Sequence, residues 1–223
     1  MIFEGEPIKQ LFKQLKSFYP LSRQEKKNIK NVFRFAVDDL DVCYKQVKNK
    51  YYHKDEDSFF SCYHVGQWTM FLYIMSRELY LKYQNVDQLC SKIYGLLKTV
   101  SSSDIFYQVS MPKIWFFDHP QGSVLGRADY ADFFSFSQGC TVGNNKGKYP
   151  RFGEHVSMLS NSKILGDCLI GDHVIVSANC YIKDTNIPSY SIVFGSSPNL
   201  VIKPVSNEKF NELVGSMFKE GEI

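Results

Sequence analysis

A six-residue repeat constrains the second half of this chain more than any other feature. From Phe152 to Val193 the sequence divides without a gap into seven hexapeptides, and six of the seven first positions are aliphatic or aromatic. Those first positions are Phe152, Met158, Ile164, Ile170, Val176, Ile182 and Pro188. One hexapeptide supplies a short strand and a turn, and three close a triangular coil that buries its interior against the next coil. The repeat predicts a left-handed parallel β-helix, an exception to the usual right-handed crossover.

The repeat continues less regularly toward the N-terminus. Coils can be followed through 112–142, with one apparent slip in the spacing. The stretch from Asn144 to Pro150 is too polar and too rich in glycine for a coil. It predicts a loop that leaves the prism and returns, and such excursions commonly carry function.

The first hundred residues have a helical pattern. Apolar residues recur at three- and four-residue steps over 24–50, 61–83 and 85–99. We predict an α+β protein with a helical domain at 1–103, a left-handed β-helix domain at 104–204 and a C-terminal tail at 205–223. Within the tail we expect a short helix from Asn207 to Phe218, capped by Asn207, with Phe210, Leu213 and Met217 on one side.

Composition excludes several classes of protein. Hydrophobic residues make up 44% of the chain, which excludes intrinsic disorder, and a net charge of +3 gives no case for a nucleic-acid partner. Six cysteines without a CxxC pair fit neither a disulfide scaffold nor a metal site, and indicate reduced thiols. The N-terminus lacks the order of a signal peptide, and no apolar run approaches 18 residues. We expect a cytoplasmic protein without a membrane span.

The order of these motifs resembles the serine O-acetyltransferases of the hexapeptide acyltransferase superfamily, over roughly residues 60 to 204. The segments that carry the resemblance are DHPQGSVLG, QGCTVGNNKG, the hexapeptides and GSSPNLVIKP. As in that family, Asp104 lies fifteen residues before His119, and Gly126 lies seven residues after it. The block DHPQGSVLGRA also looks like a branch of the family associated with surface-polysaccharide biosynthesis.

The resemblance implies transfer of an acetyl group from acetyl-CoA, as cosubstrate, to a hydroxyl, without a metal. It makes His119 the general base, Asp104 its orienting partner and Asp118 the first acceptor contact. It places acetyl-CoA contacts at four further positions, Gly143, Asn144, Ser160 and Ala178. Lys183 and Lys203 are candidate phosphate contacts on charge alone. Histidine suits the role of base because its ordinary pKa of about 6.5 leaves it mostly neutral at pH 7.

The sequence constrains the identity of the acceptor less than it constrains the acetyl-transfer reaction. The family has an Arg-His pair before the proline of the loop, which holds the carboxylate of the amino-acid acceptor. This chain has Lys148-Tyr149 before Pro150, and the resemblance makes these two residues acceptor contacts. A second acceptor contact in the helical domain falls on Asp55 or Asp57, with different spacing. Serine or a related small hydroxyl compound is the leading acceptor, and a sugar or nucleotide sugar is the alternative. A third interpretation is a non-catalytic trimeric scaffold. The resemblance also implies a homotrimer or a dimer of trimers.

The remaining histidines have simpler interpretations. His53 and His64 lie in the helical part and are expected to be surface or capping groups. His155 and His173 occupy fourth positions of their hexapeptides, which predicts solvated coil corners.

Overall fold

The computed structural model describes residues 1–214 and 217–219. The chain forms two compact units. The first contains Met1–Lys45 and Lys50–Gln108, and the second contains Gln46–Asn49 together with the residues from Val109 onward. No described helix is both long enough and apolar enough to cross a bilayer.

The first unit is mainly helical. In chain order its elements are β1 (Ile2–Glu4), α1 (Pro7–Phe18), α2 (Arg23–Gln46), a 3₁₀ turn (Lys50–Tyr52), β2 (His53–Lys54), β3 (Asp57–Ser61), α3 (Val65–Lys82), α4 (Asp87–Ser101) and β4 (Asp104–Ile105). Strand β3 pairs with β1 on one side and β2 on the other. A capping box formed by Ser22 and Glu25 starts α2. The Glu25 carboxylate accepts a hydrogen bond from the Ser22 N–H, and the Ser22 hydroxyl accepts one from the Glu25 N–H.

Two helix boundaries differ from the sequence prediction by four residues, and the other four differ by one or two. The helix expected from residue 61 begins at Val65, because Asp57–Ser61 pairs as the central strand of the small sheet. The helix expected over 24–50 ends at Gln46. Helix α1 was not predicted, although its buried Leu11 and Leu15 have helical spacing.

The second unit is a parallel β-helix of about five turns, as predicted. Its strands in chain order are β5 (Trp115–Phe117), β6 (Val124–Leu125), β7 (Phe134–Phe136), β8 (Thr141–Gly143), β9 (Arg151–Phe152), β10 (Ser157–Met158), β11 (Lys163–Leu165), β12 (Leu169–Ile170), β13 (Val174–Val176), β14 (Tyr181–Lys183), β15 (Ser191–Ser196) and β16 (Asn199–Pro204). The first face consists of β5, β7, β10, β13 and β15. The second face consists of β6, β8, β11 and β14, and the third of β9 and β12.

The hexapeptide pattern correctly identifies the interior of the β-helix. All six apolar first positions are at most 6% exposed. The frame then shifts by one residue, because Ile187 is buried and Pro188 is exposed. The GSSP segment contains the turn of an antiparallel hairpin, in which Ser197 and Pro198 connect β15 to β16.

One corner of the β-helix carries a column of stacked rings. Phe133, His155, His173 and Tyr190 follow one another with ring centroids 4.3, 4.6 and 4.7 Å apart, and all four have positive φ angles. The prediction that His155 and His173 are solvated was therefore wrong, because both rings are half-buried within this column.

The C-terminal helix α5 spans Asn207–Val214, shorter than predicted, and residues 215 and 216 of the predicted range lie outside the described residues. The Ser206 hydroxyl accepts from the Lys209 N–H, so Ser206 and not Asn207 supplies the cap. Phe210 and Val214 are buried against Ile175, whereas Leu213 is 47% exposed.

Candidate active site

His119 lies in a corner that is longer than the corners stacked on it. Six residues (118–123) separate β5 from β6, whereas four separate β7 from β8 (137–140), β10 from β11 (159–162) and β13 from β14 (177–180). This difference accounts for the slip in the sequence repeat. The two additional residues cannot join the regular stack, so this corner bulges from the wall.

The backbone at the bulge directs the His119 side chain outward. His119 has a φ angle of 51°, in the left-handed region that is uncommon for residues other than glycine. Its side chain is 76% exposed, and its Nε2 lies 3.5 Å from Oδ1 of Asp118, which is 57% exposed. Beneath it, the buried Ser123 hydroxyl donates to the Ser137 carbonyl and accepts from the Cys140 N–H. The corner therefore holds an accessible imidazole and carboxylate on a rigid base.

Asp104, the predicted partner of His119, belongs to the first unit and is engaged there. Its Oδ1 accepts from the Tyr94 hydroxyl at 2.5 Å, and its Oδ2 lies 2.8 Å from Lys98 Nζ. The hydrogen bond to Asp104 raises the pKa of Lys98, and burial followed by the same carboxylate raises the pKa of Tyr94. The Asp104 carboxylate is thus held in one orientation, and each of its oxygens retains a lone pair that can accept a further hydrogen bond.

The predicted acetyl-CoA contacts fall on both ends of the second face. Gly143 is paired with Leu165, which is paired in turn with Lys183, so Gly143 and Lys183 belong to one row across β8, β11 and β14. Ser160 and Ala178 precede this face, in stacked corners where the Asn179 N–H donates to the Ser160 carbonyl. Lys183 and Ala178 are exposed, and Ser160 is half-buried. The second face is therefore bordered by four of the predicted contacts.

The segment predicted as a long loop contains a tight hairpin. Asn145 and Lys148 exchange two main-chain hydrogen bonds, of 3.1 and 3.0 Å, around a two-residue turn. That turn uses positive φ angles at Lys146 (49°) and Gly147 (78°), as two-residue hairpins commonly do. The exposed Asn144 precedes the hairpin, the exposed Lys148 ends it, and Tyr149, which follows, is 38% exposed. Lys148 and Tyr149, two of the predicted acceptor contacts, are therefore accessible.

Sequence reasoning missed the contact that holds this hairpin. The Asn145 side-chain amide donates to the Asp184 carboxylate at 2.6 Å, beside Gly166. No local pattern marks the contact, because its partners are 39 residues apart and neither occupies a first position of a hexapeptide.

Three other predicted residues lie in different surroundings. Lys203 is in β16 opposite Ile192, which extends the first face, and its Nζ lies 5.8 Å from the centroid of the Phe194 ring. It therefore does not share the row of Lys183. Asp55 is in the turn between β2 and β3, and Asp57 begins β3.

His64 has the capping role that the sequence suggested, because its Nδ1 accepts from the Gln67 N–H at the start of α3.

The thiols of the β-helix are interior groups. Cys140, Cys168 and Cys180 are buried, and burial raises the pKa of Cys180 to about 11. A protonated, buried thiol is a poor nucleophile. Over the part of the chain that the structure describes, no three His, Cys, Asp or Glu side chains cluster as metal ligands do.

Comparison with known proteins gives a consistent set of relatives. No family model matches the sequence. The chain is 27% identical to the serine acetyltransferase of Staphylococcus xylosus over 143 residues, which cover 62% of this chain and 65% of that protein. It is 33% identical to the serine acetyltransferase of Staphylococcus aureus (strain N315) over 91 residues, 39% of this chain and 42% of that protein. The chain thus matches 65% of the length of the first relative and 42% of the second, less than two thirds in each case.

Solved structures extend the likeness to the fold of both units. The serine acetyltransferase of Neisseria gonorrhoeae has a TM-score of 0.70 at 18% identity, covering 92% of this chain and 81% of its own. A serine acetyltransferase in complex with CoA has a TM-score of 0.69 at 19% identity, covering 88% and 83%. One in complex with cysteine has a TM-score of 0.67 at 18% identity, covering 85% and 74%. This chain is therefore a hexapeptide-repeat protein with the serine acetyltransferase fold, a helical region followed by a left-handed β-helix.

Proposed function

We propose that the protein is an acetyl-CoA-dependent O-acetyltransferase whose acceptor is serine or a related small hydroxyl compound. The relatives are named serine acetyltransferases, and solved neighbours hold CoA or cysteine. The observation that carries the proposal is the His119 corner, whose two additional residues place an accessible imidazole on the wall of the β-helix. Four of the predicted acetyl-CoA contacts border the second face, which begins at this corner.

The chemistry needs a base because an alcohol is too weak an acid to attack a thioester unassisted at neutral pH. His119 takes the hydroxyl proton while the oxygen attacks the thioester carbonyl carbon. An orienting carboxylate, the role that the family resemblance gives to Asp104, would stabilise the protonated ring. Main-chain N–H groups near Gly143 and Asn144 stabilise the oxyanion. The carbon–sulfur bond then breaks, and the CoA sulfur leaves with the proton from His119. No covalent acyl-enzyme is required, so no serine or cysteine nucleophile takes part.

The acceptor is held by Asp118, Lys148 and Tyr149. Asp118 lies beside the base and accepts hydrogen bonds from an amine or a hydroxyl, while the Lys148 ammonium attracts a carboxylate. An acceptor with an amine, a hydroxyl and a carboxylate, such as serine, uses all of these groups.

The decisive experiment is an acceptor screen that follows release of free thiol from acetyl-CoA. Serine and related hydroxy amino acids are compared with amino sugars and nucleotide sugars at equal concentration. Thiol release that depends on serine supports the proposal. Release with sugars alone contradicts the choice of acceptor but supports the chemistry.

A sugar acceptor is the second candidate, and the exposed ring of Tyr149 favours it. Tyrosine replaces the imidazole expected beside the loop proline, and an aromatic face stacks well on a pyranose ring. Replacing Lys148 with methionine separates the two acceptors, because a carboxylate acceptor loses affinity whereas a neutral sugar does not.

A non-catalytic scaffold predicts no affinity for CoA. A ligand that binds only the folded state stabilises it by about 2.7 kcal/mol at a hundredfold excess over its Kd. We expect CoA to raise the Tm, and an unchanged Tm at millimolar CoA would favour the scaffold.

We further propose assembly as a homotrimer or a dimer of trimers, with His119 of one subunit facing the 144–150 segment of the next. Sedimentation equilibrium tests this arrangement, and a stable, active monomer would contradict it.

A further inference from the structure

The Asp184 carboxylate joins three segments of the β-helix. Its Oδ2 accepts from the Asn145 side-chain amide at 2.6 Å, and its Oδ1 accepts from the main-chain N–H of Asp167 at 2.9 Å. Hydrogen bonds to an ionised acceptor are shorter and roughly twice as strong as neutral ones. The contact therefore links the hairpin to the corners that follow β11 and β14.

Gly166 provides the space for this contact. It has a φ angle of 82°, and a Cβ at this position would overlap the Asp184 carboxylate and lie 2.8 Å from the Asn145 Cβ. No other residue type fits at position 166 while Asn145 and Asp184 remain bonded, so the glycine and the hydrogen bond belong to one arrangement.

The Asn145–Asp184 hydrogen bond attaches the hairpin to the coils through a side chain. The two main-chain bonds between Asn145 and Lys148 fix the hairpin's own shape, but they do not attach it to the coils. The Lys146, Gly147 and Lys148 residues are exposed, whereas Asn145 is half-buried and turned toward Asp184. A loss of the Asn145–Asp184 bond therefore allows the hairpin to move as a unit, together with Lys148.

We propose that Asp184 is a positioning residue that fixes the 145–148 hairpin on the β-helix and thereby sets the position of Lys148 and Tyr149 for acceptor binding. The effect on the acceptor rests on the proposed function, whereas the attachment of the hairpin does not. Asp184 acts through Asn145 and needs no contact with the acceptor.

Adding a second carboxylate, and then exchanging the two side chains, tests the contact. Asn145→Asp places two carboxylates against each other. Asp184→Asn replaces the charged acceptor with a neutral amide, which accepts from the Asp167 N–H and donates to a flipped Asn145 amide. In the Asn145→Asp, Asp184→Asn double variant, the new amide at 184 accepts from the Asp167 N–H and donates to the new carboxylate at 145. The double variant therefore restores both hydrogen bonds with the two groups exchanged.

We expect Asn145→Asp to raise the acceptor KM about tenfold, as loss of a hydrogen bond to a charged group does. The KM for acetyl-CoA should change less than the acceptor KM, and the double variant should recover most of the loss. Asp172→Asn is the matched control, because Asp172 also accepts from a main-chain N–H, that of Glu154, beside a tightly packed glycine, Gly153, but at another corner. A double variant as impaired as Asn145→Asp, or an equal effect of Asp172→Asn, would overturn the proposal.

Hydrogen exchange tests the hairpin independently of activity. The Asn145 and Lys148 amides should exchange faster in Asn145→Asp and return toward wild-type rates in the double variant. If the wild-type protein transfers no acetyl group to any acceptor, the proposed function fails, and the exchange rates still decide whether Asp184 holds the hairpin. Unchanged exchange in both single variants would refute the attachment itself.

Discussion

At the scale of single residues, His119 is set apart from the other histidines of the β-helix by exposure. His155 and His173 pack in a ring column, whereas the His119 side chain is 76% exposed and projects from the bulged corner. Removing an exposed ring leaves no cavity in the core. Variants of His119 therefore separate chemistry from stability.

We predict that His119→Asn lowers kcat by at least about a hundredfold, because the base is lost. Asparagine is the better replacement because it tolerates the φ angle of 51° at this position, whereas alanine adopts left-handed backbone less readily. The measurement is the rate of thiol release at saturating acetyl-CoA and acceptor, and the Tm shift on adding CoA should match that of the wild type. His53→Asn, a histidine of the first unit, serves as the control. Undiminished turnover in His119→Asn would remove His119 from the mechanism.

At the scale of the element, the sequence predicted the periodic features of the β-helix. It missed the features that depend on how its strands are aligned with one another. The first positions of the hexapeptides could be identified because each repeat buries the same kind of side chain. The sequence repeat shows a slip, but its place in the 118–123 corner becomes visible only when β5 and β6 are aligned with β7 and β8. The contact between Asn145 and Asp184 depends on the stacking of distant coils, which no local pattern encodes.

The separation of neighbouring coils yields a second prediction, at Gly126. The Gly126 N–H donates to the Val142 carbonyl at 2.8 Å, and a Cβ at Gly126 would lie 2.5 Å from that same oxygen. Because the clash is with main chain, relief requires a shift of the coil. We predict that Gly126→Ala lowers the free energy of unfolding by about 2 kcal/mol, within the range for overpacked sites. The urea midpoint of unfolding measures the change.

Gly143→Ala is the matched control for this prediction. A Cβ at Gly143 would lie 3.3 Å from a terminal methyl of Leu165, which a side-chain rotation can relieve. Gly143→Ala should lower the free energy of unfolding by less than half as much as Gly126→Ala does. A loss in Gly126→Ala no larger than the loss in Gly143→Ala would contradict the prediction that the main-chain contact at Gly126 limits the spacing of the coils.

At the scale of the whole molecule, each unit contains a half-buried histidine that favours its neutral form. Burial lowers the pKa of His64, whose Nδ1 accepts the capping hydrogen bond of α3. Burial lowers the pKa of His155, and the proximity of His173 lowers it further. The nearby Asp172 carboxylate only partly opposes these two effects. Protonation therefore removes a helix cap in one unit and places charge in a ring column in the other.

The direction of the resulting pH dependence follows from linkage. The unfolded histidines have a pKa of about 6.5, so between that value and the lower folded pKa the unfolded chain binds more protons. The stabilisation is complete above about pH 6.5 and is lost as the pH falls through the folded pKa. We predict that the Tm decreases between pH 7 and pH 5, and that His64→Asn and His155→Asn each flatten the decrease. Asparagine caps helices well and tolerates the φ angle of 56° at position 155, and it does not titrate. A Tm curve equally steep in the double variant would assign the acid sensitivity to carboxylates instead.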